Sequence, residues 1–419
     1  MYKRKYYLEK IQQTFNDKER ILFLVWGRQV GKTTLLKSLI EFGLIPQEKS
    51  FFLNWDELFE EFQNAEQFLE YLKIKYGFDM ENIEYFIIDE FHFIKNIWLI
   101  LKNLIDGIRL KKYNFKLICS GSGSWYSFLW KNDALTGRYE VLKVYPFTFG
   151  EFLDFKWFKY YDISLENITL FADDLLAYFK EYQLFWGYPK VVTTKDSLQK
   201  KQILAEIFDS YLTKDVWFFL KWDEIFNFKR FLKLLVENIG SLVSVDVLVQ
   251  KMWLGRYIVE KFLFIFNNTF IWKELGGLKT GFVEWEVVKK RKIYFYDLGL
   301  LNYLWDFTFD KGKIIENFVF TQIMPYLKNF EQIFYRRRRT GAEIDFVISD
   351  KIEKKVSLIE VKSGNKDNIP KAILNFLKFK KIDFDKIIIT TEKLYKTRQE
   401  NNKTIVFVPY VGVEKVFSN

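Results

Sequence analysis

Over the first 150 residues, short apolar runs alternate with longer amphipathic stretches. Ile21–Val25 is continuously apolar, and Phe51–Leu53, Tyr85–Ile88, Lys116–Cys119 and Val141–Val144 are further short strand candidates. Between them lie helical stretches at 33–42, near 56–75 and near 96–112. Strands of this kind, separated by helices, predict a parallel sheet covered by helices on both faces. Pro146 and the aromatic-rich stretch to about Tyr161 mark the exit from this region.

From 165 to 290 the period becomes helical, with helices expected at 172–184, 197–219 and 227–238. The stretch Asn238–Asp246 then opens a helix–turn–helix-like pattern, with helices near 245–251 and 256–266. Strand-like segments at Phe270–Trp272 and Phe282–Val288 would supply a small wing. Beyond 293 the pattern is mixed, with helices near 312–327 and 369–380 and strands at 331–335, 343–348, 356–361, 386–390 and 404–408. The expected organisation is an α/β domain over 1–155, a helical and winged-helix domain over 156–290, and a C-terminal α/β domain over 291–419. At about 150 residues per domain the length suits such a division.

Composition narrows the chemistry. With 64 Lys and Arg against 54 Asp and Glu, the net charge of +10 favours a polyanionic partner, the other reading being a Lys-rich surface that is simply solvated. The 46 Phe, 24 Tyr and 13 Trp are spread along the whole chain, which points to packing and not to a local base-stacking platform. One Cys and one His exclude an internal disulfide and the usual zinc cages, so a catalytic metal would be a hard ion on carboxylates. His92 and Cys119 read as packing or surface residues. No apolar run approaches the roughly 18 residues that span a bilayer. The charged N-terminus lacks a following apolar segment, so the expected location is the cytoplasm.

Trp26-Gly27-Arg28-Gln29-Val30-Gly31-Lys32-Thr33-Thr34 lies between the first strand and a helix. A loop so placed aims backbone N–H groups and the positive helix end at phosphate oxygens. Lys32 would reach the β- and γ-phosphates of ATP, and the Thr33 hydroxyl would bind Mg²⁺. The first position of the P-loop template holds Trp26, with Gly27 one place later. Downstream, Tyr85–Ile88 leads into Asp89-Glu90, where Asp89 would stand beside the metal and Glu90 would polarise the attacking water. The strand ending at Ser120 offers a hydroxyl that would sense the γ-phosphate or orient water. Arg138 would be either an arginine finger acting on a neighbouring subunit or an ordinary surface ion pair.

These runs resemble the prokaryotic AAA-type ATPases that carry a winged-helix connector and a restriction-endonuclease-like C-terminal domain. The resemblance rests on Gly27 through Thr34, Ile88-Asp89-Glu90, Ser120-Gly121-Ser122, Thr136-Gly137-Arg138 and Val144 through Phe149. It continues over Trp186-Gly187-Tyr188-Pro189, Lys292 through Gly299, Glu316 through Val319, Glu343 through Val347 and Glu360-Val361-Lys362. It implies an ATPase followed by a nuclease-like fold.

Glu343-Ile344-Asp345 and Glu360-Val361-Lys362 flank a polar turn at 350–355. A hairpin centred between 352 and 353 sets Asp345 opposite Glu360 and Glu343 opposite Lys362, all on one face. Facing carboxylates repel unless a cation lies between them, which suits Mg²⁺, with Lys362 beside a scissile phosphate. The other reading is a solvated hairpin face with a Glu343–Lys362 pair. The resemblance favours the metal-dependent nuclease signature and implies Glu316 as an accessory acidic ligand. The Arg336–Arg339 run would grip phosphates or form a solvated turn.

Two function classes follow. One is an ATP-hydrolysing switch coupled to nucleic-acid binding or cleavage. The other is a signalling or chaperone-like ATPase whose last domain is only an interaction module, working with a protein partner or as a homo-oligomer.

Overall fold

The computed structural model describes residues 2–54, 61–122, 135–217, 219–278, 290–300, 302, 310–338, 341–378 and 382–418. They fall into two compact units: Met1–Tyr145 with Asn268–Phe270, and Pro146–Asn267 with Ile271–Asn419.

The first unit is a five-stranded sheet, all parallel, in the order β2-β3-β4-β1-β5. The strands are β1 (Ile21–Trp26), β2 (Ser50–Asn54), β3 (Tyr85–Asp89), β4 (Lys116–Ser122) and β5 (Tyr139–Lys143). Every residue of β1, which is paired on both sides, is buried, which is why it reads as an unbroken apolar run. Its alternate residues Ile21, Phe23 and Val25 join a core with Phe68, Leu72, Ile100 and Leu104. Those last four come from α3 (Ala65–Tyr76) and α4 (Ile97–Arg109). Leu22 and Leu24 lie outside that core and are buried as well. Two further helices, α1 (Lys5–Gln13) and α2 (Lys32–Glu41), pack on each other. Because the strands are parallel, the residues that follow β1, β3 and β4 share one edge of the sheet.

The second unit begins with α5 (Phe149–Phe155), α6 (Ala172–Phe185), α7 (Pro189–Thr193), α8 (Ser197–Tyr211) and α9 (Trp222–Val236). The single helix expected over 197–219 instead breaks after Tyr211 into a π-helical turn, Leu212–Val216. Next come β6 (Leu242–Ser244), α10 (Val245–Met252), α11 (Arg256–Asn268), β7 (Trp272–Leu275) and β8 (Lys290–Phe295). The three strands form an antiparallel sheet with β8 in the centre. The wing strand expected at Phe282–Val288 lies outside the described residues.

The same unit contains a mixed six-stranded sheet in the order β13-β14-β12-β11-β10-β9. Its strands are β9 (Glu331–Arg337), β10 (Glu343–Asp350), β11 (Lys355–Glu360), β12 (Asp383–Thr391), β13 (Lys396–Glu400) and β14 (Lys403–Pro409). Its core joins Val347, Leu358, Ile389 and Phe407 to Ile373 and Phe376 of α13 (Lys371–Leu377). The remaining helices are α12 (Lys311–Ile323) and α14 (Val413–Ser418). Glu414 of α14 ties the chain end to α5: it accepts from the Thr148 hydroxyl at 2.7 Å and the Gly150 N–H at 2.7 Å.

Candidate functional site

Gly27–Gly31 follows the buried end of β1 and runs directly into α2. The turn depends on Gly31, whose φ of 91° lies in the left-handed region open to glycine. No side chain caps the N-terminus of α2, so its first amides face the loop, the geometry that receives phosphate. Lys32 is buried and turns back on the loop, donating to the carbonyls of Gly27 (2.9 Å) and Trp26 (3.2 Å). Trp26 occupies the template's glycine position because its ring has a place of its own. It packs between Tyr145 and Phe270, with centroids 4.0 and 4.3 Å away and the rings tilted by 45° and 35°. Thr33 is half-buried and Thr34 exposed in the first turn of α2.

β4 lies between β1 and β3, and this places Ser120 beside Asp89. The Ser120 hydroxyl donates to the Asp89 carboxylate, and both residues are buried. Glu90 then adopts a left-handed backbone, φ 51° and ψ 42°, a strained conformation for a non-glycine residue. The strand after Ser120 makes room for that turn: a Cβ on Gly121 would stand 2.7 Å from the Phe91 ring. His92, expected to be a packing or surface residue, is buried. Its Nδ1 lies 3.4 Å from Glu90 Oε2. Burial, then the charges of Arg28 and Lys32, hold its imidazole down to about 3, so it is neutral. Cys119 is buried in the sheet core, as expected.

Arg138 is not brought to this loop in its own chain. Its carbonyl accepts from Ile21 N–H at the opposite end of β1, and its guanidinium bonds Asp106 Oδ1 of α4 at 2.9 Å.

The carboxylates gather in the second unit. The β10–β11 pairing, Phe346 with Ile359 and Val347 with Leu358, has the centre expected from the sequence. Asp345 Oδ2 accepts the Val361 N–H at 2.8 Å. The anticipated Glu343–Lys362 partnership is replaced: the Lys362 amine bonds Glu360 Oε1 at 2.6 Å, while Glu343 Oε2 lies 3.3 Å from Arg337. A residue that lies within the resemblance, but had no part expected in this cluster, completes it. Lys292 of β8 bonds Glu316 of α12 at 2.8 Å, contacts Glu343, and stands 3.5 Å from Asp345. Tyr294, on the same face of β8, donates to Glu316. The sequence signal for this role was slight: Lys292 is the last of three basic residues that open β8 and the first of its buried ones.

Burial and the Asp345 charge push Glu360 up to about 7, against the pull of Lys362. The same two causes push Glu316 up to about 6, against Lys292. Burial alone would lower Lys292, but Glu316, Asp345 and Glu343 hold it above the ordinary lysine range. The contacts themselves do not suit a divalent ion on Glu316, Asp345 and Glu360. Lys292 already compensates the first two, and of the oxygens of these three carboxylates only Glu360 Oε2 is buried without a hydrogen-bond partner among the described residues. Among those residues there is also no group of three or more Asp, Glu, His or Cys placed to hold a metal ion. Arg336 differs from expectation too: it is buried, with its guanidinium 4.0 Å over the Phe376 ring, so it packs instead of reaching for phosphate. Arg339 lies outside the described residues.

A family model described as a AAA domain matches residues 18–153. This stretch is an AAA-type ATPase-like domain. Residues 176–311 and 311–411 match two families, each described as a domain of unknown function. The chain is similar to an uncharacterized protein of Haemophilus influenzae, 26% identical over 280 residues, covering 65% of this chain and 66% of the relative. It is also similar to one of Methanocaldococcus jannaschii, 25% identical over 322 residues, covering 74% and 69%. The chain thus spans just under two thirds of the Haemophilus relative. Solved structures with some likeness include S. cerevisiae Hsp104 with ADP, at TM-score 0.32, 14% identity and 63% and 38% coverage of the two chains. Another is Aeropyrum pernix ORC1 in complex with DNA, at TM-score 0.30, 13% identity and 73% and 93% coverage. Likeness at that level carries no inference for this chain. Among the described residues no helix is long and apolar enough to cross a membrane.

Proposed function

We propose that the chain is an ATP-hydrolysing switch whose second unit handles nucleic acid, DNA foremost. The observation that carries the ATPase half is the shared sheet edge, where β4 lies between the strand that leads into the Lys32 loop and the strand that ends in the Ser120-held Asp89. Nucleotide binding would exchange the Trp26 and Gly27 carbonyls at Lys32 for β- and γ-phosphate oxygens. The amides of Arg28 through Gly31 and the first turn of α2, with Thr34, would cradle the phosphates. Mg²⁺ arriving with ATP would meet the Thr33 hydroxyl and Asp89 and neutralise charge on the phosphates. Glu90 would orient the attacking water, and Arg138 would complete the site only from a second copy.

The domain limits 1–155, 156–290 and 291–419 belong to the same proposal. The order α9-β6-α10-α11-β7-β8, with β8 central, supports a winged-helix reading of the middle region. The run α12-β9-β10-β11-α13-β12 supports a restriction-endonuclease-like reading of the last. A cytoplasmic location and assembly with itself or a partner protein complete the proposal.

The second reading is a signalling or chaperone-like switch without nucleic acid. It is favoured by the carboxylate cluster being satisfied internally. Fluorescence anisotropy with labelled DNA across a salt series separates the two. Counterion release makes phosphate-mediated affinity fall steeply with salt, and an absence of any DNA binding at low salt would leave the second reading standing.

A further inference from the structure

Lys292 belongs by its backbone to the three-stranded sheet, where it pairs with Leu242 of β6 and Leu275 of β7. Its side chain ends elsewhere, among carboxylates from α12 and β10, with 3% of it exposed. Three carboxylates that converge on one buried point repel each other unless a positive charge sits between them. The usual solution is a divalent ion taking about six oxygen ligands. Here the Lys292 ammonium stands among Glu316, Glu343 and Asp345 in that position.

The remaining oxygens are largely committed. Glu316 Oε1 also accepts from Tyr294, Asp345 Oδ2 accepts from Val361, and Glu343 Oε2 faces Arg337. Glu360 Oε1 accepts from Lys362, which leaves Glu360 Oε2 as the one buried oxygen of the set without a hydrogen-bond partner among the described residues. A single such oxygen cannot hold a hard divalent ion.

We propose that Lys292 is the resident cation of this cluster, closing it to divalent metal and making the last domain a module that does not cut nucleic acid. The closure stands on the cluster's geometry alone, whereas any role in binding nucleic acid rests on the function proposed above. β8 is paired on both sides, so Lys292 is anchored by the sheet and not by a mobile loop.

Mn²⁺ titration of the full chain without nucleotide, followed by electron paramagnetic resonance and calorimetry, tests the closure. The wild type is expected to show no saturable site that Asp345→Ala removes, up to roughly millimolar Mn²⁺. Lys292→Ala is expected to gain one site, which Asp345→Ala in the same background abolishes. If Lys292→Ala folds only with metal, its melting temperature should rise with Mn²⁺ while that of the wild type does not. A stoichiometric wild-type Mn²⁺ site lost in Asp345→Ala overturns the proposal whatever the lysine variant does. Mn²⁺-dependent DNA cleavage that Asp345→Ala abolishes overturns it equally. DNA anisotropy on the same samples keeps the two ideas apart: a wild type that binds neither DNA nor Mn²⁺ leaves Lys292 in its role and sinks only the nucleic-acid reading.

Discussion

Lys32 and Gly27 close the phosphate loop on itself, the ammonium lying 2.9 Å from the Gly27 carbonyl oxygen. The charge a nucleotide would use is thus already aimed across the loop. Lys32→Ala should weaken ATP binding by about ten- to a hundredfold, the worth of a charge-assisted hydrogen bond. Glu90→Gln should leave affinity nearly unchanged and lower turnover by about a hundredfold or more. Nucleotide titration and steady-state phosphate release separate the two effects. Unchanged hydrolysis in both variants would remove the assignment.

Trp26 gives a stability prediction at the same loop. Its ring is buried between Tyr145 and Phe270. Restoring the template residue with Trp26→Gly would therefore empty a cavity and destabilise the first unit by about 3–5 kcal/mol. Trp26→Phe should recover much of that. Thermal unfolding of the variants checks this, and a glycine variant as stable as wild type would show that the ring is dispensable.

The buried carboxyls of the second unit set a pH dependence. Glu360 is raised to about 7 and Glu316 to about 6. Burial pushes Asp297 up to about 8, although the N–H groups of Gly187, Leu300 and Gly299 oppose it. A carboxyl raised on folding binds its proton more tightly in the folded state. Its contribution is therefore full below the unfolded value near 4.5 and is lost as pH rises through the folded one. The melting temperature should be higher at pH 5.5 than at pH 8. Glu360→Gln should flatten the slope between those values by on the order of 1 kcal/mol per pH unit. A slope unchanged by that substitution would place the titration elsewhere.

The sheet of the first unit was legible because buried parallel strands announce themselves as apolar runs. The expected Ile21–Val25 and Tyr85–Ile88 differ from β1 and β3 by one residue each. The β10–β11 register was legible from the symmetry of one polar turn. β13 was not, because Lys396–Glu400 is polar, largely exposed and defined only by its pairing with β14. Lys292 was illegible for a different reason. Its partners lie on α12 and β10, far downstream, and only tertiary packing turns a strand lysine into the centre of an acidic cluster. The proximity of His92 to Glu90 was illegible likewise, since it depends on a strained turn that local pattern does not reveal.

Arg138 yields the prediction about assembly. Its carbonyl accepts from Ile21 N–H at the start of β1, and the phosphate loop begins after the end of that six-residue strand. At about 3.3 Å per residue the two lie roughly 17–20 Å apart along the sheet, too far for its own guanidinium to serve the site. The Asp106 bond further holds the side chain at that end. Any role in hydrolysis must therefore act on a second copy. If it does, specific ATPase activity should rise with protein concentration, and Arg138→Ala should lower turnover by about a thousandfold at unchanged nucleotide affinity. Mixing Arg138→Ala with Glu90→Gln should restore part of the activity, because some interfaces would pair an intact Arg138 with an intact Glu90. Asp106→Ala removes the same ion pair while keeping the arginine, so it should spare turnover if the guanidinium is the working group. A strictly monomeric protein by light scattering, with concentration-independent hydrolysis and equal behaviour of Arg138→Ala and Asp106→Ala, would assign Arg138 to the fold alone.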